Sequence, residues 1–268
     1  MPGAWDALSA RLAADAGFST VFLSGYCVSG TQLALPDYGF VTQTEMAEQA
    51  RRVTAANPGL NVVVDGDTGY GNPLNVIRTI ELWEHAGAAG VFLEDQVWPK
   101  RCGHMAGKQV VPADEWLAKL RAAVDHRSDL LVCARTDARA AVGLDEAIER
   151  ANAAADTGVD AVFVEAPETV AEMERIADEV DAPVLVANMV EAGRTPLLTP
   201  DELTDLGFRL AVSPLTSLFS MVASIRGSLD ILATAGSLRD DLDRLVSFDD
   251  FTEIVGLPDI AATEERYR

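Results

Sequence analysis

Short runs of branched and small apolar residues, too continuous to alternate with a period of two, recur along the chain. They lie at Thr20–Ser24, Val62–Val64, Gly90–Leu93, Leu130–Ala134, Ala161–Val164, Pro183–Ala187 and Phe208–Val212. Such runs are the pattern of strands buried on both faces, as in a parallel sheet. Between most of them apolar positions return at helical spacing, over Leu8–Ala16, Glu45–Ala55, Asn75–Ala86, Ala113–Val124, Leu144–Asp156, Val170–Glu179 and Pro200–Leu206. Gly17, Gly87 and Gly158 stand just past three of these helices, where a left-handed residue closes the last turn. Strand–helix alternation repeated this often predicts an α/β chain whose parallel sheet closes into a TIM-type (β/α)8 barrel. Pro2-Gly3-Ala4 reads as the end of a first strand whose body lies upstream of Met1; a barrel that closes without that strand is the alternative. After the last strand come a strongly apolar helix, Ser217–Ala233, and an acidic tail, Arg239–Arg268. With no low-complexity linker, residues 1–268 read as a single barrel domain in which 217–268 form a C-terminal helical extension.

Composition narrows the class. A chain of 268 residues, 49% hydrophobic and 6% aromatic, has the length and the aliphatic content of such a barrel. No apolar run approaches the ~20 residues of a membrane span, and the start carries no signal-peptide pattern. Cys27, Cys102 and Cys133 are too few and scattered for a disulfide framework, so a reducing cytoplasm is expected. A net charge of −21 repels nucleic acid and anionic membranes, leaving neither as a partner. Arginine dominates the basic residues, with lysine only at 100, 108 and 119. An acidic, lysine-poor surface suggests a halophilic protein; an acidic mesophilic protein from a GC-rich genome is the alternative.

Candidate chemistry collects where active sites of barrels lie, at the carboxyl ends of the strands. These ends read Ser24-Gly25-Tyr26, Asp65-Gly66-Asp67, Glu94-Asp95, Arg135-Thr136-Asp137, Glu165-Ala166-Pro167 and Asn188-Met189. Asp65 and Asp67, two apart on an extended segment, are expected to point the same way and to join Glu94 in an all-oxygen cluster. Hard oxygen donors suit Mg²⁺ or Mn²⁺. Arg135 is a candidate fork for a substrate carboxylate, with a salt bridge to Glu165 as its structural alternative. After the Glu94 strand, a loop carries Lys100, Arg101, Cys102, Gly103, His104 and Lys108. Cations flanking Cys102 are expected to ease ionisation or proton exchange of its thiol; a solvated charged loop is the plainer reading.

The motifs V-D-G-D-T-G-Y-G, L-E-D-Q-V-W-P-K-R-C-G-H and A-R-T-D-A resemble the isocitrate lyase/phosphoenolpyruvate mutase superfamily, and the resemblance runs from Pro2 to about Asp243. The K-R-C-G-H segment is similar to the lyase branch. Together with S-G-Y-C-V-S, L-P-D-Y-G and V-E-A-P it is closest to 2-alkylmalate lyases of the petal death protein type, with methylisocitrate lyases next. The resemblance implies that Asp65 and Asp67, with Glu94 through water, hold Mg²⁺. It implies that Ser24, Gly25 and Tyr26 contact the 2-oxo acid part of the substrate and that Arg135 contacts its carboxylate. Glu165 and Asn188 would complete the pocket, and Cys102, Gly103 and His104 would ride on a closing loop. The implied reaction is carbon–carbon cleavage of a di- or tricarboxylate with Cys102 as general acid, tuned by Lys100, Arg101 and His104. Tyr26 or a metal-linked acid would be the base. The implied assembly is a homotetramer with a swapped C-terminal helix.

Methylisocitrate lyases carry an arginine after the last strand, which helps bind a third carboxylate. Here the run is Pro214-Leu215-Thr216-Ser217-Leu218-Phe219, without arginine, which favours a dicarboxylate such as a 2-alkylmalate. Methylisocitrate remains an alternative if Arg226 substitutes, as does oxaloacetate hydrolysis or decarboxylation on the same site. A catalytically silent barrel acting as a binding subunit is the alternative of another class. It should have lost Asp65, Asp67, Cys102 or Arg135, and all four are present.

Overall fold

The computed structural model describes residues 1–105 and 107–268. Eight parallel strands follow one another in chain order around one sheet: β1 (Gly3–Ala4), β2 (Thr20–Leu23), β3 (Asn61–Asp65), β4 (Gly90–Glu94), β5 (Leu131–Thr136), β6 (Ala161–Val164), β7 (Leu185–Asn188) and β8 (Leu210–Val212). The first strand, two residues long, takes its place in the ring. Met1–Ala4 lies between both neighbours: Gly3 pairs with Phe22 of β2, Pro2 bridges Ser213, and the Ser213 N–H donates to the Met1 carbonyl at 2.9 Å. These bonds close the ring into a (β/α)8 barrel.

Between the strands run α1 (Ala7–Asp15), α2 (Gly25–Val28), α3 (Gln43–Ala56), α4 (Pro73–His85), α5 (Ala113–His126), α6 (Ala138–Ala141), α7 (Leu144–Ala155), α8 (Val170–Glu179) and α9 (Pro200–Leu206). Their starts are written in side chains. Thr42 and Glu45 form a reciprocal cap on α3, and Asn72 followed by Pro73 opens α4. Gly17, Gly87 and Gly158 have φ of 92°, 79° and 87°, the left-handed conformation their positions call for. The short helices α2 and α6 are not legible in the sequence, because four residues cannot establish a period.

Inside the ring, Phe22, Phe92, Cys133, Ala161, Phe163, Val186 and Val212 pack into one apolar plug, with the rings of Phe22 and Phe92 4.9 Å apart. Cys133 is thus a core residue. This plug is the floor on which the strand-end residues stand.

The described residues fall into two compact units, Met1–Thr216 and Ser217–Arg268. The second takes in nearly all of α10 (Thr216–Ala235), then α11 (Phe248–Ile254) and α12 (Leu257–Arg266). At 20 residues and a mean hydropathy of 1.3, α10 is long and apolar enough to cross a membrane by length and composition alone. Arg226 and Asp230 break its run without lowering its average below that of a span.

Candidate active site

Side chains two apart on a strand share a face, and this rule builds the site. On six strands a residue of the apolar plug, or one packed on it, is followed two positions later by a candidate residue. The pairs are Phe22 and Ser24, Val63 and Asp65, Phe92 and Glu94, Cys133 and Arg135, Phe163 and Glu165, Val186 and Asn188. The register stacks them, with Phe92 beside Cys133 and Glu94 beside Arg135. A polar layer therefore sits on the apolar one at the carboxyl end of the barrel.

Arg135 is the hub of that layer. Its guanidinium lies 3.2 Å from Glu94, 2.9 Å from Asp137 and 3.3 Å from Glu165, with its central carbon 5.6 Å from the Phe163 ring centre. The expected Glu165 bridge is present, joined by two further acids. Asn188 reaches both Glu165 oxygens at 3.3 Å. Ser24 is buried and caps α2 through the Cys27 N–H, while the Gly25 N–H donates to Asp65 at 3.1 Å. A Cβ on Gly25 would lie 2.8 Å from Asp65 Oδ2 and 3.6 Å from Asp67 Oδ1, so both carboxylates face this bare backbone.

Asp67 reaches that position differently from the sequence expectation. The strand ends at Asp65, and Asp67 sits at φ 46° with its N–H bonded to Asp65 Oδ1 at 3.1 Å. Tyr70 and Ala166, which also border site acids, have φ of 60° and 57°. Non-glycine residues held left-handed cost of order 1 kcal/mol or more each and cluster where function over-determines the backbone.

The loop after β4 lies across this layer. Its stem is pinned by Val97 N–H to the Gln109 carbonyl and Val111 N–H to the Asp95 carbonyl, and Gln96 bonds both backbone groups of Arg101. Lys100 Nζ is buried between Asp37 at 2.6 Å and Asp67 at 2.7 Å. Gly103 rests against Glu165, where a Cβ would come within 2.5 Å of the carboxylate. His104 lies 3.4 Å from Glu165, and its Nδ1 accepts the Arg194 N–H at 3.0 Å. That bond leaves the ring proton on Nε2, and burial lowers the imidazole pKa, so the ring is neutral. Lys108 closes the loop onto Asp137 at 2.6 Å.

The flanking cations do not activate Cys102. Lys100 is turned to Asp37 and Asp67, and the Arg101 guanidinium sits over the Tyr38 ring at 5.4 Å. Burial pushes the Cys102 thiol up to about 11, with Asp37 adding to the effect and the His104 N–H opposing it. Tyr26 is likewise raised, by burial first and then by Cys102, which makes its phenol a donor rather than a base. Cys27 is buried, its thiol donating to the Pro214 carbonyl at 3.2 Å.

Sequence reasoning passes over Arg194 and Asp37, and it places Lys108 on the loop and Asp137 at a strand end without giving either a partner. Asp37 stands in L-P-D-Y-G, far from any strand end, so a search of strand ends passes over it. Asp137 is legible as part of a strand end, but its neighbours in sequence do not show its partner.

Among the described residues no three acidic, histidine or cysteine side chains converge as a ready metal cage. In donor chemistry and charge the site still fits a hard cation. Asp37, Asp65, Asp67, Glu94, Asp137 and Glu165 are all buried, against Lys100, Lys108 and Arg135. Burial drives the carboxyls of Asp67 and Glu94 above the usual range, with Lys100 and Arg135 respectively pulling the other way. Glu94 Oε1 has no hydrogen-bond partner. Surplus buried negative charge with an orphaned oxygen is what a divalent cation would relieve.

Comparison with known proteins agrees with this geometry. The family profile described as phosphoenolpyruvate phosphomutase matches residues 1–231. The petal death protein of Dianthus caryophyllus is 48% identical over all of this chain and 85% of its own length. A chloroplastic carboxyvinyl-carboxyphosphonate phosphorylmutase of Arabidopsis thaliana is 47% identical, covering 100% of this chain and 80% of that protein. The 2,3-dimethylmalate lyase of Eubacterium barkeri is 41% identical, covering 99% and 92%. Among solved structures, oxaloacetate acetylhydrolase with 3,3-difluorooxalacetate superimposes with a TM-score of 0.94 at 35% identity, covering 99% of this chain and 91% of that one. With the barrel, the strand-end layer and the matched length in accord, the chain belongs to the phosphoenolpyruvate phosphomutase family, within the PEP mutase/isocitrate lyase superfamily of enzymes.

Proposed function

We propose that this enzyme is a carbon–carbon lyase cleaving a 2-hydroxy dicarboxylate of the 2-alkylmalate type to a 2-oxo acid such as pyruvate and a carboxylic acid, with Cys102 as general acid. One observation carries the reading: buried ion pairs of Lys100 and Lys108 pin the loop that bears Cys102 across a polar layer rich in acids, where burial favours the protonated thiol. A phosphoryl-transfer enzyme has no use for a protonated thiol there, whereas a carbanion needs a proton donor.

Asp65, Asp67 and Glu94 would hold Mg²⁺ or Mn²⁺. When bound, such a cation supplies Lewis-acid stabilisation to an oxygen gaining negative charge. Arg135, oriented by Asp137, would take a substrate carboxylate, and the Ser24-Gly25-Tyr26 turn would face the 2-oxo end. A carboxylate of the Asp37 and Asp67 pair around Lys100 takes the 2-hydroxyl proton. The carbon–carbon bond breaks, its electron pair moves to the carbon beside the other carboxylate, and Cys102 protonates that carbon. The hydroxyl proton then restores the thiol, so the cycle balances. The closed loop keeps water from the carbanion.

The relatives named 2,3-dimethylmalate lyase and petal death protein support the dicarboxylate reading, as does the absence of arginine at Pro214–Phe219. Oxaloacetate hydrolysis is the second reading, favoured by the match to oxaloacetate acetylhydrolase. Cys27, Cys102 and Cys133 are all free thiols, which suits a reducing compartment. For the assembly we propose a homotetramer in which the α10–α12 segment packs against another copy.

The test offers 2-methylmalate, 2,3-dimethylmalate, oxaloacetate and methylisocitrate separately, with Mg²⁺. Pyruvate release from the malates, reduced about 10²–10⁴-fold in Cys102→Ser, is the expected result for loss of a general acid. Oxalate and acetate from oxaloacetate, with the malates untouched, would establish the second reading. Turnover of methylisocitrate alone would overturn the dicarboxylate preference.

A further inference from the structure

We propose that Lys108 is a positioning residue: its ammonium latches the loop bearing Cys102 onto the barrel and ties loop closure to the setting of Arg135. The proposal rests on the reading of Cys102 as the acid. Lys108 Nζ donates to Asp137 Oδ1 at 2.6 Å and also to the Gly103 carbonyl, the peptide next to Cys102. Both charged side chains are out of water, at 1% and 0% exposure. The ammonium thereby joins the descending arm of the loop, the turn that carries the thiol, and the end of β5.

Asp137 is a firm anchor. Its N–H donates to Asp95 Oδ1 at 2.8 Å, and its two oxygens accept from Arg135 Nε and NH2 at 2.9 and 3.1 Å. Arg135 and Lys108 hold the Asp137 carboxyl ionised, its pKa lowered to about 2 against the opposing effect of burial. The carboxylate is therefore shared between the guanidinium assigned to the substrate and the ammonium of the loop. The other contacts from loop to barrel are of different kinds. Lys100 binds Asp37 and Asp67, the second of them assigned to the cation, and His104 lies 3.4 Å from Glu165 and accepts the Arg194 N–H at 3.0 Å. Lys108 ties the thiol-bearing turn directly to the end of β5 through a buried ion pair that engages no candidate metal ligand.

Removing the ammonium distinguishes a latch from an ion pair that only stabilises the fold. Lys108→Met keeps the stem and deletes the charge. Loss of a latch exposes Cys102 alone, whereas loss of general stability loosens Cys27 and Cys133 as well, which are buried in the fold. The experiment is iodoacetamide labelling of the native full chain, followed for each cysteine by peptide mass spectrometry. Steady-state kinetics on the best malate substrate accompany it. Labelling of Cys102 is expected to rise at least tenfold with Cys27 and Cys133 unchanged, and kcat to fall at least tenfold with a smaller change in KM. Unchanged Cys102 labelling, or a parallel rise at all three cysteines, overturns the proposal. Should Lys108→Met fail to fold, Lys108→Gln, which keeps an N–H for the Gly103 carbonyl, carries the same expectation. The labelling does not depend on the reaction. Exposure of Cys102 in the variant, combined with full activity of Cys102→Ser, would sink the acid assignment and leave the latch standing. The reverse pair of results would sink the latch alone.

Discussion

A thiol that must deliver a proton to a carbanion has to keep that proton until the carbanion forms, and burial does this for Cys102. Its pKa of about 11 lies above the ordinary cysteine value near 9, because desolvation and Asp37 both disfavour the thiolate. A folded-state value raised above the unfolded one favours the neutral thiol, so its contribution to stability is fully present below about pH 9 and lost as pH rises through about 11. The same shift predicts slow alkylation of Cys102 at pH 8 and a rate that climbs toward pH 11, read by labelling with Cys27 and Cys133 as internal references. A midpoint below pH 8 would show that Lys100 and Arg101 govern the thiol after all. Charge order along a sequence misleads here because side chains of Lys100 and Arg101 turn to Asp37, Asp67 and Tyr38, partners 30 or more residues away.

At the scale of the element, the strands are legible in the sequence and the loop is not. Buried parallel strands announce themselves by continuous apolar runs, and their ends carry Ser24, Asp65, Glu94, Arg135, Glu165 and Asn188 to one layer, because each stands two positions beyond a plug residue. The contacts of the loop depend on tertiary partners, so Lys108, Asp37 and Arg194 give no periodic signal. The approach of Gly103 to Glu165 is of the same kind. Nothing in C-G-H shows that a Cβ there would lie 2.5 Å from a buried carboxylate. Gly103→Ala should therefore lift the thiol-bearing turn off the barrel. A displacement on the order of 1 Å costs about 10²-fold in rate when a reacting group is misplaced. We expect kcat to fall by about that factor with little change in Tm, since the turn adds little to the core. Unaltered kinetics would show that the turn has room which the described geometry denies it.

The whole molecule raises a different question, because the Ser217–Arg268 unit hides almost nothing from water. Leu218 is the one buried residue of α10, and α11 and α12 have none. Helices that bury no face gain little to offset the entropy of ordering them, and isolated helices of this length are marginal in water. Val222, Ile225, Leu229 and Leu232 are exposed at spacings of three and four, a stripe along one face of α10. A charge of −21 keeps copies apart unless an apolar contact outweighs the repulsion, so a stripe of this kind is informative. Membrane insertion would have to bury Arg226 and Asp230 with it, at about +2.5–3.5 kcal/mol each near the centre of the bilayer. Association with other copies leaves both at the edge of the stripe. Leu229→Asp separates the cases by sedimentation velocity in 0.15 M and 1 M KCl. If α10 seals an assembly, the parent sediments as an oligomer at both salts and the variant falls toward the monomer, because a carboxylate placed in an apolar contact must be desolvated. If α10 faces water in a monomer, parent and variant sediment alike, and the exchange of an exposed leucine for an acid leaves Tm unchanged or higher.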